Sequence, residues 1–131
     1  MGNRRRIDRT LALALVSVMV SACGVGGPIG NASGSPAATV GLAAENLAFD
    51  QSSLRFPAGA VVALTLDNRD PGILHNVAIY PAGAGDPVFR GETFTGIQTV
   101  TYLLGPLAAG SYRYVCDVHP TMSGTLTVGA G

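Results

Sequence analysis

The chain has 131 residues, of which 47 % are hydrophobic and 12 % are charged, with 18 Gly and 8 Pro. This length allows one domain with a proper core and is short for two, and the composition excludes a highly charged disordered chain. The formal net charge of zero hides an asymmetry, because four of the eight basic residues lie among the first nine positions.

Residues 1–22 have the layout of a signal peptide. The four Arg precede an apolar run, LALALVSVMV, and small residues follow it. At about ten residues this run is too short for a transmembrane helix, which needs about 20. A buried core helix is the structural alternative. The layout favours export of the protein from the cytoplasm.

Residues 20–23, across the end of the signal peptide, read VSAC and resemble a bacterial lipobox whose last residue is Cys23. The resemblance implies cleavage before Cys23 and a diacylglycerol on its sulfur, so that acyl chains anchor the protein. Ordinary signal cleavage with a free Cys23 is the alternative. We expect an extracytoplasmic protein that is lipid-anchored to a bacterial membrane, on the periplasmic side or at the cell surface.

Residues 23–38 are dominated by Gly, Ala, Ser and Pro and predict a flexible tether to a domain at residues 39–129. The cleaved protein has four Arg, no Lys and seven acidic residues, a net charge of −3. Because no basic stripe remains, nucleic acid is excluded as a partner.

From Thr39 onward, short apolar segments alternate with turn residues, and none keeps a helical period. The predicted strands are TVGLAAEN, SLRF, AVVALTLDN, HNVAIY, QTVTYLLG, GSYRYVC and GTLTV. Seven or eight short strands indicate an all-β domain, a Greek-key sandwich or barrel. Residues 81–97 leave two possibilities open, a short helix or irregular edge strands.

Alternation along the strands orients their side chains. In HNVAIY one face holds His75, Val77 and Ile79, and the other holds Asn76, Ala78 and Tyr80. In SYRYVC one face holds Tyr112, Tyr114 and Cys116. Gly110 and Tyr112 resemble a tyrosine corner of Greek-key folds, with an ordinary strand Tyr as the alternative.

After the signal peptide and Cys23, the sequence contains four soft or imidazole donors, His75, Cys116, His119 and Met122. The last three follow at steps of three, and His75 lies 41 residues before Cys116. A thiolate, two imidazoles and a weak thioether form the ligand set of blue-copper electron-transfer sites. Singly, these residues fit a core His, a core-filling Met and an inert thiol, and a structural zinc site usually has two or more Cys.

The segments DPGILHNVAIY and YRYVCDVHPTMSGTLTV resemble those of cupredoxins, with a ligand loop as short as in amicyanin-type proteins. The resemblance implies that His75, Cys116 and His119 bind one type 1 copper ion in plane, with Met122 as the axial ligand. It also implies that Asn76 bonds across to the ligand loop. Asp117 stands where many relatives have Ser or Thr, so the partner of Asn76 stays open.

The resemblance further implies a monomeric one-electron carrier, not an enzyme, that meets redox protein partners at the membrane surface. Its exposed ligand would be His119, ringed by an apolar patch of Pro71, Gly72, Ile73, Leu74 and Pro120. A copper-binding or copper-delivery protein without an electron-shuttle role is the main alternative. A copper oxidase or nitrite reductase requires further His, and a metal-free adhesion module leaves the donor pattern to chance.

Overall fold

The computed structural model of the protein describes residues 32–130. The predicted signal peptide, the lipid-attachment residue Cys23 and most of the predicted tether lie outside these residues. The end of the predicted tether makes two backbone hydrogen bonds to the domain, from the Ala32 amide to the Leu103 carbonyl and from the Ala37 amide to the Val61 carbonyl, both 2.8 Å long. The described chain therefore joins the domain a few residues before its first strand.

The predicted all-β class is confirmed, and the described part of the chain contains eleven strands. None of residues 32–130 belongs to a helix with the length and apolarity needed to cross a membrane. The strands are β1 (Ala38–Glu45), β2 (Ala48–Phe49), β3 (Ser53–Pro57), β4 (Val62–Asn68), β5 (Leu74–His75), β6 (Ala78–Pro81), β7 (Phe89–Arg90), β8 (Phe94–Thr95), β9 (Gln98–Leu104), β10 (Gly110–Val115) and β11 (Ser123–Gly129).

Two sheets form the frame of the domain. One has the order β2-β1-β4-β9 and the other β3-β11-β10-β6-β7, while β5 and β8 make a separate two-stranded ladder. The pairs β1 with β4 and β11 with β3 are parallel, and the other pairs are antiparallel. Parallel neighbours that are distant in the chain require crossovers, as a Greek-key sandwich does.

The core lies between the two sheets, and several strands place alternate residues toward it. In β11, Leu126 and Val128 are buried while Thr125 and Thr127 are exposed. Tyr114 and Cys116 belong to the same core cluster, and Tyr112 packs against it, as their shared face predicts. The Tyr112 hydroxyl donates to the Ala108 carbonyl over 2.9 Å, which confirms the tyrosine corner.

The segment HNVAIY is not one strand, and this prediction is wrong. The chain leaves β5 after His75 and enters β6 at Ala78, so that it passes from the small ladder to the larger sheet. All five residues from His75 to Ile79 are buried, so the predicted two-faced alternation does not separate core from solvent here. At the break both residues bond with Gly91. The Asn76 side chain donates to the Gly91 carbonyl, and the Val77 carbonyl accepts from the Gly91 amide.

Residues 81–97, which the sequence left unassigned, contain two strands of two residues each. The first, β7, adds Phe89 to the core at the edge of the larger sheet. The second, β8, pairs Phe94 with His75 and Thr95 with Leu74. Of the two possibilities, the structure therefore has the irregular edge strands.

Gly124 lies opposite Tyr114 in the β10–β11 pair, where a Cβ atom would overlap the Tyr114 ring. We expect Gly124→Ala to destabilise the domain by about 1–3 kcal/mol, because the buried ring has to shift. Gly129→Ala is the matched control on the same strand, since its Cβ would meet nothing within 4 Å. Chemical unfolding curves measure both. Equal stability of the two variants would contradict the packing of Tyr114 against β11.

Candidate metal centre

Three predicted ligands converge at one end of the sandwich. His75 ends β5, Cys116 follows β10 directly, and His119 lies in the loop between β10 and β11. The Cys116 Sγ atom is 3.7 Å from His75 Nδ1 and 3.9 Å from His119 Nδ1. One donor atom from each of the three residues lies within 4.8 Å of the donor atoms of the other two. Residues 41 positions apart in the chain thus meet at one point.

These separations suit three ligands around one metal ion. A thiolate at about 2.3 Å and an imidazole at about 2.0 Å from an ion, 120° apart, place S and N about 3.7 Å from each other. The two His rings have centroids 5.0 Å apart and an interplanar angle of 61°, so they meet edge to face and are not stacked. The two Sγ–Nδ1 distances therefore suit one metal ion held by all three residues.

The fourth predicted ligand, Met122, is buried at the end of the same loop. Its amide donates to the His119 carbonyl over 2.8 Å, and its carbonyl accepts from the Cys116 amide over 3.0 Å. These two backbone bonds close the loop and bring its first and last residues together. The structure therefore places Met122 beside Cys116 in the short ligand loop.

The donors differ in their access to solvent. His75 and Cys116 are fully buried, whereas His119 is partly exposed. Apolar side chains are exposed directly before both His residues, Ile73 and Leu74 before His75 and Val118 before His119. Of the predicted ligands, His119 is the one through which the site reaches the surface.

Asn76 bonds across to the ligand loop, and its partner is Asp117. The Asn76 Oδ1 atom accepts from the Asp117 amide over 2.9 Å. Its Nδ2 group donates to Asp117 Oδ2 over 3.1 Å and to the Gly91 carbonyl over 2.9 Å. Asp117 thus pairs with Asn76 through both its backbone and its side chain, which answers the question that the sequence left open.

The Asp117 carboxylate also receives two further donors. Tyr80 donates its hydroxyl to Oδ1 over 2.8 Å, and Arg90 Nε lies 2.9 Å from Oδ2. The Tyr80 hydroxyl, which accepts from Arg90, and the charge of Asp117 raise the pKa of the Arg90 guanidinium. The Asp117 side chain therefore bonds with Asn76 and also forms an ion pair with Arg90 at the protein surface.

Sequence reasoning missed Asp70 as a residue of the site. Its Oδ2 atom lies 2.8 Å from His75 Nε2, the ring nitrogen that faces away from Cys116. The backbone amide of Leu47 and the His75 ring hold the pKa of Asp70 below its ordinary value, with a further contribution from the Asn46 amide. The available signal was an acid in the Asp70-Pro71-Gly72 turn, five residues before a predicted ligand.

The sequence matches the family model of the cupredoxin-like domain over residues 11–128, which is most of the chain. The protein is a cupredoxin. Auracyanin-A of Chloroflexus aurantiacus is 28 % identical to it over 156 aligned positions, which cover 92 % of this chain and 96 % of the relative. Amicyanin of Paracoccus versutus is 43 % identical over 54 residues, which cover 41 % of this chain and 39 % of amicyanin.

Solved structures show the same fold. Auracyanin B superimposes on this cupredoxin with a TM-score of 0.65 and 26 % identity, over 76 % of this chain and 94 % of auracyanin B. A variant of amicyanin in a reduced Cu(I) form gives a TM-score of 0.53 and 26 % identity, over 69 % of this chain and 81 % of amicyanin. The predicted resemblance to cupredoxins is confirmed.

The contact between Asn76 and Asp117 gives a stability prediction for this cupredoxin. In Asn76→Asp a second carboxylate oxygen would face Asp117 Oδ2 and the Gly91 carbonyl, where an N–H group now donates. We expect a loss of about 1–3 kcal/mol in the free energy of unfolding at neutral pH, because buried acceptors lose their donor. Chemical denaturation measures this loss.

The second variant needed is Asn76→Asp combined with Asp117→Asn, which returns an amide donor to the pair. Part of the lost stability should return in this double variant, as a double-mutant cycle measures directly. Simple additivity of the two changes would show that the side chains do not interact.

Proposed function

We propose that this cupredoxin is a type 1 copper protein that carries single electrons between redox proteins at the outer side of a bacterial membrane. The observation that supports it is the convergence of Cys116 Sγ with His75 Nδ1 and His119 Nδ1. In this proposal these three residues would hold the copper ion, and the Met122 thioether would be a further, weak ligand. The sequence provides no further His for a second metal site of the oxidase type.

The donor set fits copper better than zinc. One thiolate, two imidazoles and a thioether are soft ligands of the blue-copper type, whereas structural zinc sites are usually built from two or more Cys. His75 has its Nε2 atom on the Asp70 carboxylate, which leaves Nδ1 toward Cys116. The side chains are thus arranged to present their donor atoms without a large rearrangement.

A copper ion bound here would supply one-electron chemistry by alternating between Cu(I) and Cu(II). The residues around it supply rigidity and exclude water. Cys116 and Met122 are joined through their backbones, and Asn76 joins the two ligand-bearing segments. Ligands that move little between two oxidation states keep the reorganisation cost of electron transfer low, so this frame suits a carrier.

The relatives support the same function. Auracyanin A is a "blue" copper protein, and the amicyanin variant was solved in a reduced Cu(I) form. The sequence similarity to auracyanin-A covers 92 % of this chain. This similarity and the cluster of His75, Cys116 and His119 support the proposed role as an electron carrier.

We infer that partners meet this protein at His119. The side chain is partly exposed, and Leu74 and Ile73, directly before His75, expose 43 % and 37 % of their surface. With Pro71, Gly72 and Pro120, which are also exposed, they make up the predicted apolar patch. A small apolar patch suits brief encounters between redox proteins better than a permanent complex.

The proposed lipid anchor at Cys23 is compatible with this surface. Ala32 and Ala37 bond to Leu103 and Val61, at the end of the sheet where Ala38 pairs with Val62. The other end of the β1–β4 pair, at Ala44 and Asn68, lies near the turn that leads to His75. Seven paired residues span about 20 Å. A tether from the membrane would therefore join the domain at the end opposite to the metal centre and leave His119 open to partners.

Addition of Cu(II) to the protein without its first 23 residues tests the copper proposal. We expect an intense visible charge-transfer band from the Cu–thiolate bond. Cys116→Ser removes the only thiol of this form and should abolish the band completely. Met122→Leu should retain the colour and raise the reduction potential, because a weak axial donor to Cu(II) is lost.

Two outcomes would contradict this proposal. A colourless protein, or one that prefers zinc to copper, would show that the site is not of type 1. A coloured protein that transfers copper rapidly to a chelator, but is reduced and reoxidised slowly, would favour copper delivery over electron transfer.

A separate experiment tests the anchor in the full chain, produced in a bacterial host. We expect the unmodified protein in the membrane fraction and Cys23→Ala in the soluble fraction, because the lipid-bearing sulfur is lost. Ser21→Ala, which keeps a small residue in the lipobox, is the matched control and should stay with the membrane. Retention of Cys23→Ala on the membrane would refute lipidation at this residue.

A further inference from the structure

The carboxylate of Asp70 lies between the metal centre and the turn that joins β1 to β2. Its Oδ2 atom is 2.8 Å from His75 Nε2, inside the protein, where His75 is fully buried. Its Oδ1 atom accepts from the Asn46 amide over 2.6 Å, and Oδ2 also accepts from the Leu47 amide over 3.0 Å. Each oxygen therefore has a donor from the turn, and one of them also contacts the ligand ring.

We propose that Asp70 is a positioning residue that fixes the tautomer and the ring orientation of His75, so that Nδ1 points its lone pair at the metal. An ionised carboxylate can only accept hydrogen bonds, so the proton of neutral His75 resides on Nε2. The Nδ1 atom, 3.7 Å from Cys116 Sγ, is then the unprotonated donor. This inference rests on the proposed copper function and assigns the residue that prepares His75 for it.

The carboxylate can impose this orientation because it is itself held in place. Asn46 and Leu47 have φ angles of 54° and 59°, a left-handed turn that aims both amides at Asp70. On the other side, the Asp70 amide donates to Asn68 Oδ1 over 3.1 Å. Asn68 is fully buried and donates to the Ile73 carbonyl over 2.9 Å. The turn thus holds the Asp70 carboxylate, and Asn68 holds the backbone on either side of Asp70.

A carboxylate that accepts a hydrogen bond from Nε2 also makes Nδ1 of the same ring a stronger ligand for a metal ion. Loss of such an outer partner commonly weakens metal binding 10–100-fold. A stronger donor stabilises Cu(II) more than Cu(I), because the higher charge gains more from it. Asp70 should therefore strengthen Cu(II) binding and lower the reduction potential of the site.

The test is Asp70→Asn. The amide has one acceptor oxygen, so an NH₂ group would face either the Asn46 amide or the Leu47 amide and His75 Nε2, all of which are donors. We expect 10–100-fold weaker Cu(II) binding and a higher reduction potential than in the unmodified protein. Asp67→Asn is the matched control, because it removes the same charge from the end of β4, where Asp67 bonds with Arg69 and Thr99.

Nitrogen-15 NMR of the metal-free, unmodified protein gives a readout that needs no copper. We expect the Nε2–H tautomer at His75 in the unmodified protein and in Asp67→Asn, and a mixture of tautomers in Asp70→Asn. The Nδ1–H tautomer in the unmodified protein would overturn the proposal, even if Asp70→Asn failed to fold. Unchanged copper affinity and potential in folded Asp70→Asn would also overturn it.

The two levels of the proposal fail differently. If the unmodified protein binds no copper with a blue colour, the proposed function is wrong, whatever the tautomer of His75. If it does, and Asp70→Asn and Asp67→Asn behave alike, only the role of Asp70 is wrong.

Discussion

The metal centre depends on the hydrogen bonds between Asn76 and Asp117. They join two segments that the chain supplies 41 residues apart, one that carries His75 and one that carries Cys116, His119 and Met122. Because the bond to the Asp117 amide involves backbone, it fixes the start of the ligand loop and not merely a mobile side chain. The loop is closed at its other end by the backbone bonds of Met122. The three predicted ligands of this loop lie within seven residues, and these bonds hold the first and the last of them in place.

The sandwich explains why the site lies at one end of the domain. Strands β10 and β6 are antiparallel neighbours, so the residues that follow Val115 and those that precede Ala78 lie at the same end of the two strands. These residues are Cys116 at the end of one strand and Val77 and Asn76 before the other. The other end of the sandwich holds the start of β1, where Ala38 pairs with Val62, and the start of β10, where Gly110 pairs with Val128. One architecture thus separates the proposed point of attachment from the proposed point of electron exchange.

The sequence predicted the donors because they are few. With two His in the whole chain and one Cys and one Met after Cys23, a single pattern used them all, and the fold class followed from strands punctuated by Gly and Pro. It could not predict the break after His75, because the segment HNVAIY alternates as a strand does and the contacts that interrupt it come from Gly91 and β8. Strands of two residues, such as β7, carry no periodicity to detect. Asp70 was missed for a different reason. It lies only five residues before His75, but the bonds that hold its carboxylate come from the β1–β2 turn, which is distant in the sequence.

The two carboxylates beside the ligands have different electrostatic surroundings. Asp117, next to Cys116 in the chain, is 2.9 Å from Arg90, so much of its charge is neutralised at a partly exposed position. Asp70 is more deeply buried, and the donors that its carboxylate contacts are the amides of Asn46 and Leu47 and the ring of His75. Amide dipoles stabilise an anion without cancelling its charge. The negative charge of Asp70 contacts the His75 ring directly and, in the proposed role, favours the more positive oxidation state of a bound metal. In this cupredoxin the turn between β1 and β2, remote from the ligands in sequence, thus contributes to the electrostatics of the site through one carboxylate.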